Sequence, residues 1–189
     1  MRFSYWRAAI VLGLVLGSGP SLAFNQASAA PDWAEKMIGH WRGDGVRTEI
    51  SSGRKTRVTV EVKAEWNSKL PLPALVSRNH LKEESLDSEG KVTQVREYDR
   101  TYWIREKSRQ GTSAEIILGG GENSSVNPSS AGSYDSLNQM MLIQQDLGQG
   151  TRVHSRSDLS QPGLTLYQEI FWFNGRKKTF SEIRYIFEP

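Results

Sequence analysis

The stretch Val58-Thr59-Val60-Glu61-Val62-Lys63-Ala64-Glu65-Trp66 sets an apolar residue at every second position with polar ones between. A pleated strand sends successive side chains to opposite faces, so this run has one apolar and one polar face; a helix would scatter the same residues around its circumference. The reading extends outward from there. Ser52-Gly53 marks a turn before the run, following a strand over residues 41–50, and Pro71 and Pro73 break the chain after it. Residues 75–86 read as a polar strand and Asp87-Ser88-Glu89-Gly90 as a hairpin turn. Residues 91–99 and 102–107 read as one long strand with room for a bulge at Arg100-Thr101. A short strand over 114–118 leads into a Gly/Ser/Asn-rich loop over 119–133. Strands over 137–147 and 151–159 flank the turn Gly148-Gln149-Gly150. Strands over 164–173 and 178–187 flank Asn174-Gly175, the strongest short hairpin signal.

Ahead of the strands, Pro31-Asp32-Trp33-Ala34-Glu35-Lys36-Met37-Ile38 reads as a short helix with Trp33, Met37 and Ile38 on one face, stopped by Gly39. No second helix is long enough to cross over a sheet, so the strands should pair antiparallel. The fold class is all-β, with about eight to ten strands joined mostly by tight turns after one short N-terminal helix. Such a chain must hide its edges. A closed up-and-down barrel does so most simply, and a two-sheet sandwich is the alternative.

The first thirty residues differ from the rest. Arg2 and Arg7 precede the apolar run Ala8-Ala9-Ile10-Val11-Leu12-Gly13-Leu14-Val15-Leu16, and Gly17, Gly19 and Pro20 break it. Small residues then flank Leu22 and Ser28. This is the layout of a secretory signal peptide, and the run falls short of the roughly 20 apolar residues that span a bilayer. Residues 1–29 are therefore expected to be removed, which makes 30–189 one exported domain, periplasmic or secreted, with no membrane span. The full chain has 24 Lys+Arg against 21 Asp+Glu; residues 1–29 hold two of those bases and no acid, so 22 bases face 21 acids and the net charge falls from +3 to +1. Nucleic acid is accordingly not an expected partner. With no Cys, the chain has no disulfide, no thiolate-bound metal and no thiol nucleophile.

The segment Gly39-His40-Trp41-Arg42-Gly43-Asp44-Gly45 opens the first strand. Its G-x-W part resembles lipocalins, and its longer G-x-W-x-G-x-G form resembles the ten-stranded nitrobindin-type calycins. The resemblance implies a lipocalin-like barrel over residues 32–188. It implies that Gly39, Gly43 and Gly45 shape the strand end, that Trp41 plugs the barrel floor, and that Arg184 (or else Arg152 or Arg156) packs over Trp41. Nitrobindin-type proteins hold haem through a histidine near the C-terminus. Here no histidine follows His154, which lies one or two strands too early, so haem is not expected and no cofactor is assigned.

The three histidines, His40, His80 and His154, show no metal-ligand spacing, and no metal site is expected. No G-x-S-x-G, phosphate-loop, H-E-x-x-H or EF-hand pattern is present. A catalytic reading would need His80 or His154 gathered with acids in one cleft. Arg152, His154 and Arg156 share one face of a strand. Turned inward, they would hold the anionic end of a ligand by bidentate bonds. Trp66 and Trp172, with Val60, Val62, Leu142 and Leu166, are the candidate wall of a ligand space. The sequence thus points to a non-catalytic barrel binding a small hydrophobic or amphipathic ligand. The competing reading is an envelope protein-interaction module with a filled barrel, whose contacts would involve residues 171–173 and 119–133.

Overall fold

The computed structural model describes residues 29–121 and 130–189. The expected signal peptide, apart from its last residue, lies outside the described residues, as does the middle of the glycine-rich stretch. The short helix α1 (Asp32–Glu35) precedes ten strands: β1 (Gly39–Glu49), β2 (Lys55–Asn67), β3 (Ala74–Leu86), β4 (Val92–Gln110), β5 (Ser113–Gly120), β6 (Ser130–Asp135), β7 (Met140–Gly148), β8 (Thr151–Gln161), β9 (Leu164–Phe173) and β10 (Arg176–Glu188). Each strand pairs antiparallel with its chain neighbours, and β1 pairs with β10. The result is a closed up-and-down barrel without an open edge, not a sandwich. Among the described residues no helix is long and apolar enough to cross a membrane.

Three local expectations are corrected. The helix has four residues and ends before Met37. Residues 130–133, expected in a loop, begin β6, whose sequence Ser-Ala-Gly-Ser-Tyr-Asp lacks a run of β-branched residues. It uses small residues because β7 comes close: a Cβ on Gly132 would lie 2.9 Å from Ile143 Cα. The irregularity in β4 falls between Glu106 and Ser108, opposite β5, rather than at Arg100-Thr101.

Register fixes which face is inside. Val58 and Val60 are 0% and 2% exposed and stand opposite Gly45 and Gly43 of β1 and Glu83 and Leu81 of β3. Following such pairs around the barrel assigns every strand. At the α1 end the interior is packed solid. Trp33 and Ala34 of the helix enter a cluster with Ala64, Leu75, Ile104, Ala114, Ile116, Leu118, Tyr134, Met141 and Leu159. Farther along the axis a second cluster gathers Val58, Val60 and Ile183, with Val62, Leu81, Tyr167 and Tyr185 against it. The wall is uneven. β5 pairs only with residues 102–110 of β4, so among the described residues β4 from 92 to 101 has β3 as its sole partner strand.

Candidate functional site

The half of the barrel away from α1 is lined by polar and charged side chains. The inward positions of β4 read Arg96, Tyr98, Arg100 and Tyr102, while Glu97, Asp99 and Thr101 alternate to the outside. Facing them from β3 is Glu83, which accepts from the Tyr98 hydroxyl at 2.6 Å and from an Arg47 guanidinium nitrogen of β1 at 2.8 Å. Arg47 Nε also donates to Ser181 Oγ of β10 at 3.2 Å. Arg100 donates to the Tyr102 hydroxyl at 3.2 Å, and its guanidinium carbon lies 4.8 Å from the Tyr98 ring centroid. On the far wall the Tyr167 hydroxyl donates to Glu169 Oε2 at 2.7 Å, and Tyr167 meets Tyr185 edge-on at 6.3 Å. Tyr185 of β10 is within electrostatic range of both Glu169 and Tyr102 of β4. Strands four places apart around the barrel thus send their phenols toward one another across the lumen.

Burial pushes the Tyr98, Tyr167 and Tyr185 phenols up, and the neighbouring Glu83 and Glu169 carboxylates add to it. The lumen therefore presents neutral O–H donors at neutral pH. Glu83 goes the other way. Burial works against its charge, but the Tyr98 hydroxyl bond and the Arg47 guanidinium outweigh it and hold the carboxyl below its ordinary range. A carboxyl lowered in the folded state stabilises above its unfolded value of about 4.3 and loses that contribution as pH falls below it. Glu83→Gln should therefore flatten the acid limb of a melting-temperature profile between about pH 5 and pH 3; acid limbs that run parallel would refute the assignment.

The residues anticipated from sequence divide between the two faces. Trp66, Val60 and Val62 point inward, and Trp66 packs edge-on against Trp33 at 6.5 Å. Arg152, His154 and Arg156 point outward, as do Trp172, Leu142 and Leu166. The inner positions of β8 are Val153, Ser155 and Ser157, opposite Phe171, Glu169 and Tyr167. Because the side-chain period is two, the intervening basic residues cannot reach the lumen. Arg152, His154 and Trp172 do come together, along a shallow outer groove of about 390 Å³ that Gly150 and Gly175 also border. There His154 lies 6.1 Å from the Trp172 ring and Lys177 Nζ 5.3 Å from it, while Arg152 pairs with Asp146 at 3.7 Å. Arg156 stands apart, its Nε 3.0 Å from Met140 Sδ.

Arg184 is corrected as well. It is exposed on the outer face, opposite Asp44 and Leu166, because Phe187, three residues on, is the inward partner of Trp41. Trp41 meets Phe187 edge-on at 5.2 Å and donates its indole N–H to the Met37 carbonyl at 3.0 Å. The plug at the centre of the floor is Trp33. Gly43 lies under the Tyr185 ring, where a Cβ would be 2.5 Å from Cε1. All three histidines alternate to the outside, and His80 pairs with Asp99 at 2.8 Å with both side chains well exposed. Glu83 and Glu84 split between inside and outside, so they form no carboxylate pair.

The sequence reading does not mark the lumen constellation as a site, yet the constellation has a sequence signal. In Arg96-Glu97-Tyr98-Asp99-Arg100-Thr101-Tyr102 the face that is not acidic alternates arginine and tyrosine. No family model and no curated protein matches the chain. Among solved structures it is similar to the S-type phycobiliprotein lyase CPES from Guillardia theta, with a TM-score of 0.56 and 10% identity over 83% of this chain and 91% of that one, a likeness of fold between two barrels.

Proposed function

We propose that the protein is an exported barrel that binds a small amphipathic molecule in its lumen, without catalysis. The observation that carries this reading is the inward set Arg47, Glu83, Tyr98, Arg100, Tyr102, Tyr167, Glu169 and Tyr185. A barrel needing only a core would fill these positions with apolar side chains, since each polar group brought inside costs free energy unless it is hydrogen-bonded. A ligand pocket, in contrast, combines apolar and aromatic walls with a few placed polar groups. Val58, Val60, Leu81 and Ile183 supply the apolar wall beside them. The likeness to a phycobiliprotein lyase supports a barrel architecture of this size. The leader-like residues 1–29 support export.

The alternative, an interaction module with a filled barrel, draws on the solid packing around Trp33 and on the outward groove at Trp172. Native mass spectrometry of the protein purified from its own source separates the two. The expected result is a mass excess of a few hundred daltons that denaturation releases, the size of ligand such pockets hold. A clean apo mass, with no thermal shift across a lipid panel, would favour the interaction module.

A further inference from the structure

We infer, resting on the lumen-binding reading above, that the ligand is an organic anion whose acid group sits on Arg100. Charged side chains point into the polar half from four strands: Arg47, Glu83, Arg96, Arg100 and Glu169. Arg47, Glu83 and Glu169 are hydrogen-bonded to one another or to a tyrosine hydroxyl. Arg47 and Glu83 neutralise each other at 2.8 Å; Glu83 also accepts from Tyr98, and Arg47 also donates to Ser181. Glu169 accepts from Tyr167 at 2.7 Å. The cations of β4 are different: among the described residues neither Arg96 nor Arg100 makes an ion pair, and of the two Arg100 is the one that aromatic side chains hold in place, Arg96 standing exposed four residues nearer the β3–β4 turn. The direct contacts of Arg100 are neutral, one hydrogen bond to Tyr102 and the face of Tyr98, and the Glu83 carboxylate, already bonded to Arg47, acts on it without a hydrogen bond.

A guanidinium carries five N–H donors in a planar fork, and a single phenol leaves most of that fork free. The fork matches the two oxygens of a carboxylate, or two of a sulfonate or phosphate, and Arg is favoured wherever such planar recognition is needed. The surroundings suit it. Tyr98 supports the guanidinium by its ring face, which holds the cation in place without spending its donors. The Tyr102 hydroxyl stands beside it as a second donor, and Tyr185 extends the phenol array across the lumen. Arg100 is also exposed and lies on the part of β4 that has one partner strand, so an acid group can reach it from solvent. Val62 and Ile143, each one inward position beyond the buried Ala64 and Met141 of the α1-end core, then offer the apolar body of the ligand its contacts. The outward acids Glu97 and Asp99 flank the same strand and keep the basic character of β4 on its inner face.

Two near-isosteric fluorescent probes test this: 1-anilinonaphthalene-8-sulfonate, an anion, and N-phenyl-1-naphthylamine, the same ring system without the sulfonate. The wild-type protein should bind both and prefer the anion by about tenfold or more, the scale of a charge-assisted bidentate contact. Arg100→Met should erase that preference while leaving the neutral probe's affinity within twofold, and Arg100→Lys should restore part of it. Arg42→Met, which removes a cation from the outer face, should change neither titration. Equal binding of both probes, or an anion preference that survives Arg100→Met, would overturn the inference and leave lumen binding standing. Binding of neither probe by a folded protein would overturn lumen binding itself.

Discussion

Gly45→Ala is expected to destabilise the barrel by about 3 kcal/mol, at the upper end of the usual cost of overpacking, and to lower the melting temperature by roughly 6–12 °C. A Cβ at this position would lie 2.7 Å from Ile183 Cα and 2.9 Å from the Glu182 carbonyl carbon, and closer still to the Glu182 carbonyl oxygen. These are backbone atoms of β10. They cannot step aside like the end of a flexible side chain, because Ile183 and Glu182 are held from the other side by Tyr167 and Gln168 of β9. Relief would require opening the seam where the first strand meets the last, the pairing that closes the barrel. Gly120→Ala is the matched control. It removes a glycine near a strand end where an added Cβ meets nothing within 4 Å, and it should stay within about 0.5 kcal/mol of wild type. If the two variants melt within a degree of each other, the close approach of β1 and β10 does not exist in solution.

The seam also shows what could be read in the sequence and what could not. The alternation of residues 58–66 fixes a strand locally, and Asn174-Gly175 fixes a hairpin locally; both stand as read. The lipocalin resemblance implies that Gly43 and Gly45 shape the strand end, but their partners, Tyr185 and the β10 backbone, are about 140 residues away and follow only from closure. The inward direction has the same origin. Along β8 the alternation is plain, with Arg152, His154 and Arg156 on one side and Val153, Ser155 and Ser157 on the other. Nothing within the strand says that the barrel has a polar chamber elsewhere. Serines could line such a chamber and arginines could face water, and this is what the partners on β9 select. β4 carries the converse lesson. Its arginines and tyrosines look like a solvated face, because Arg96 and Arg100 are the kind of residue usually left in water. They belong to the lumen because Tyr98 and Tyr102 stand opposite Leu81 and Ser77, which in turn stand opposite the buried Val60 and Ala64. Strand existence is local and legible; facing is a property of the closed ring.

Trp33→Ala should be the most damaging single truncation of a side chain, costing about 3–5 kcal/mol, the range seen when a buried Trp or Phe is cut back to Ala. Trp33 is fully buried although it belongs to a helix of only four residues. So short a helix has almost no stability of its own, since its formation fixes several dihedrals for very few hydrogen bonds. It stays in place because of what it buries and what pins it. The indole fills the barrel floor against Trp66 and donates to Glu106 Oε2 at 3.2 Å. Arg109 then bridges Glu106, at 2.9 and 3.0 Å, to Asp32 at the start of the helix. Lys36 donates to Gln139 on the other side at 2.9 Å. The ion pairs alone are worth little, since Arg109 and Asp32 are partly solvated. Removing the indole takes away the burial that makes them form. The consequence reaches beyond stability. With the plug gone, Leu75, Ile104, Ile116 and Met141 lose their cover, and the solid half of the barrel becomes continuous with its polar half. Trp33→Ala should therefore bind more N-phenyl-1-naphthylamine per chain than wild type while it melts earlier. Trp33→Phe keeps an aromatic ring in the floor but loses the bond to Glu106, and it should recover most of the stability and the wild-type stoichiometry. If Trp33→Phe falls as far as Trp33→Ala, the hydrogen bond to Glu106 and not the filling of the floor holds the helix in place.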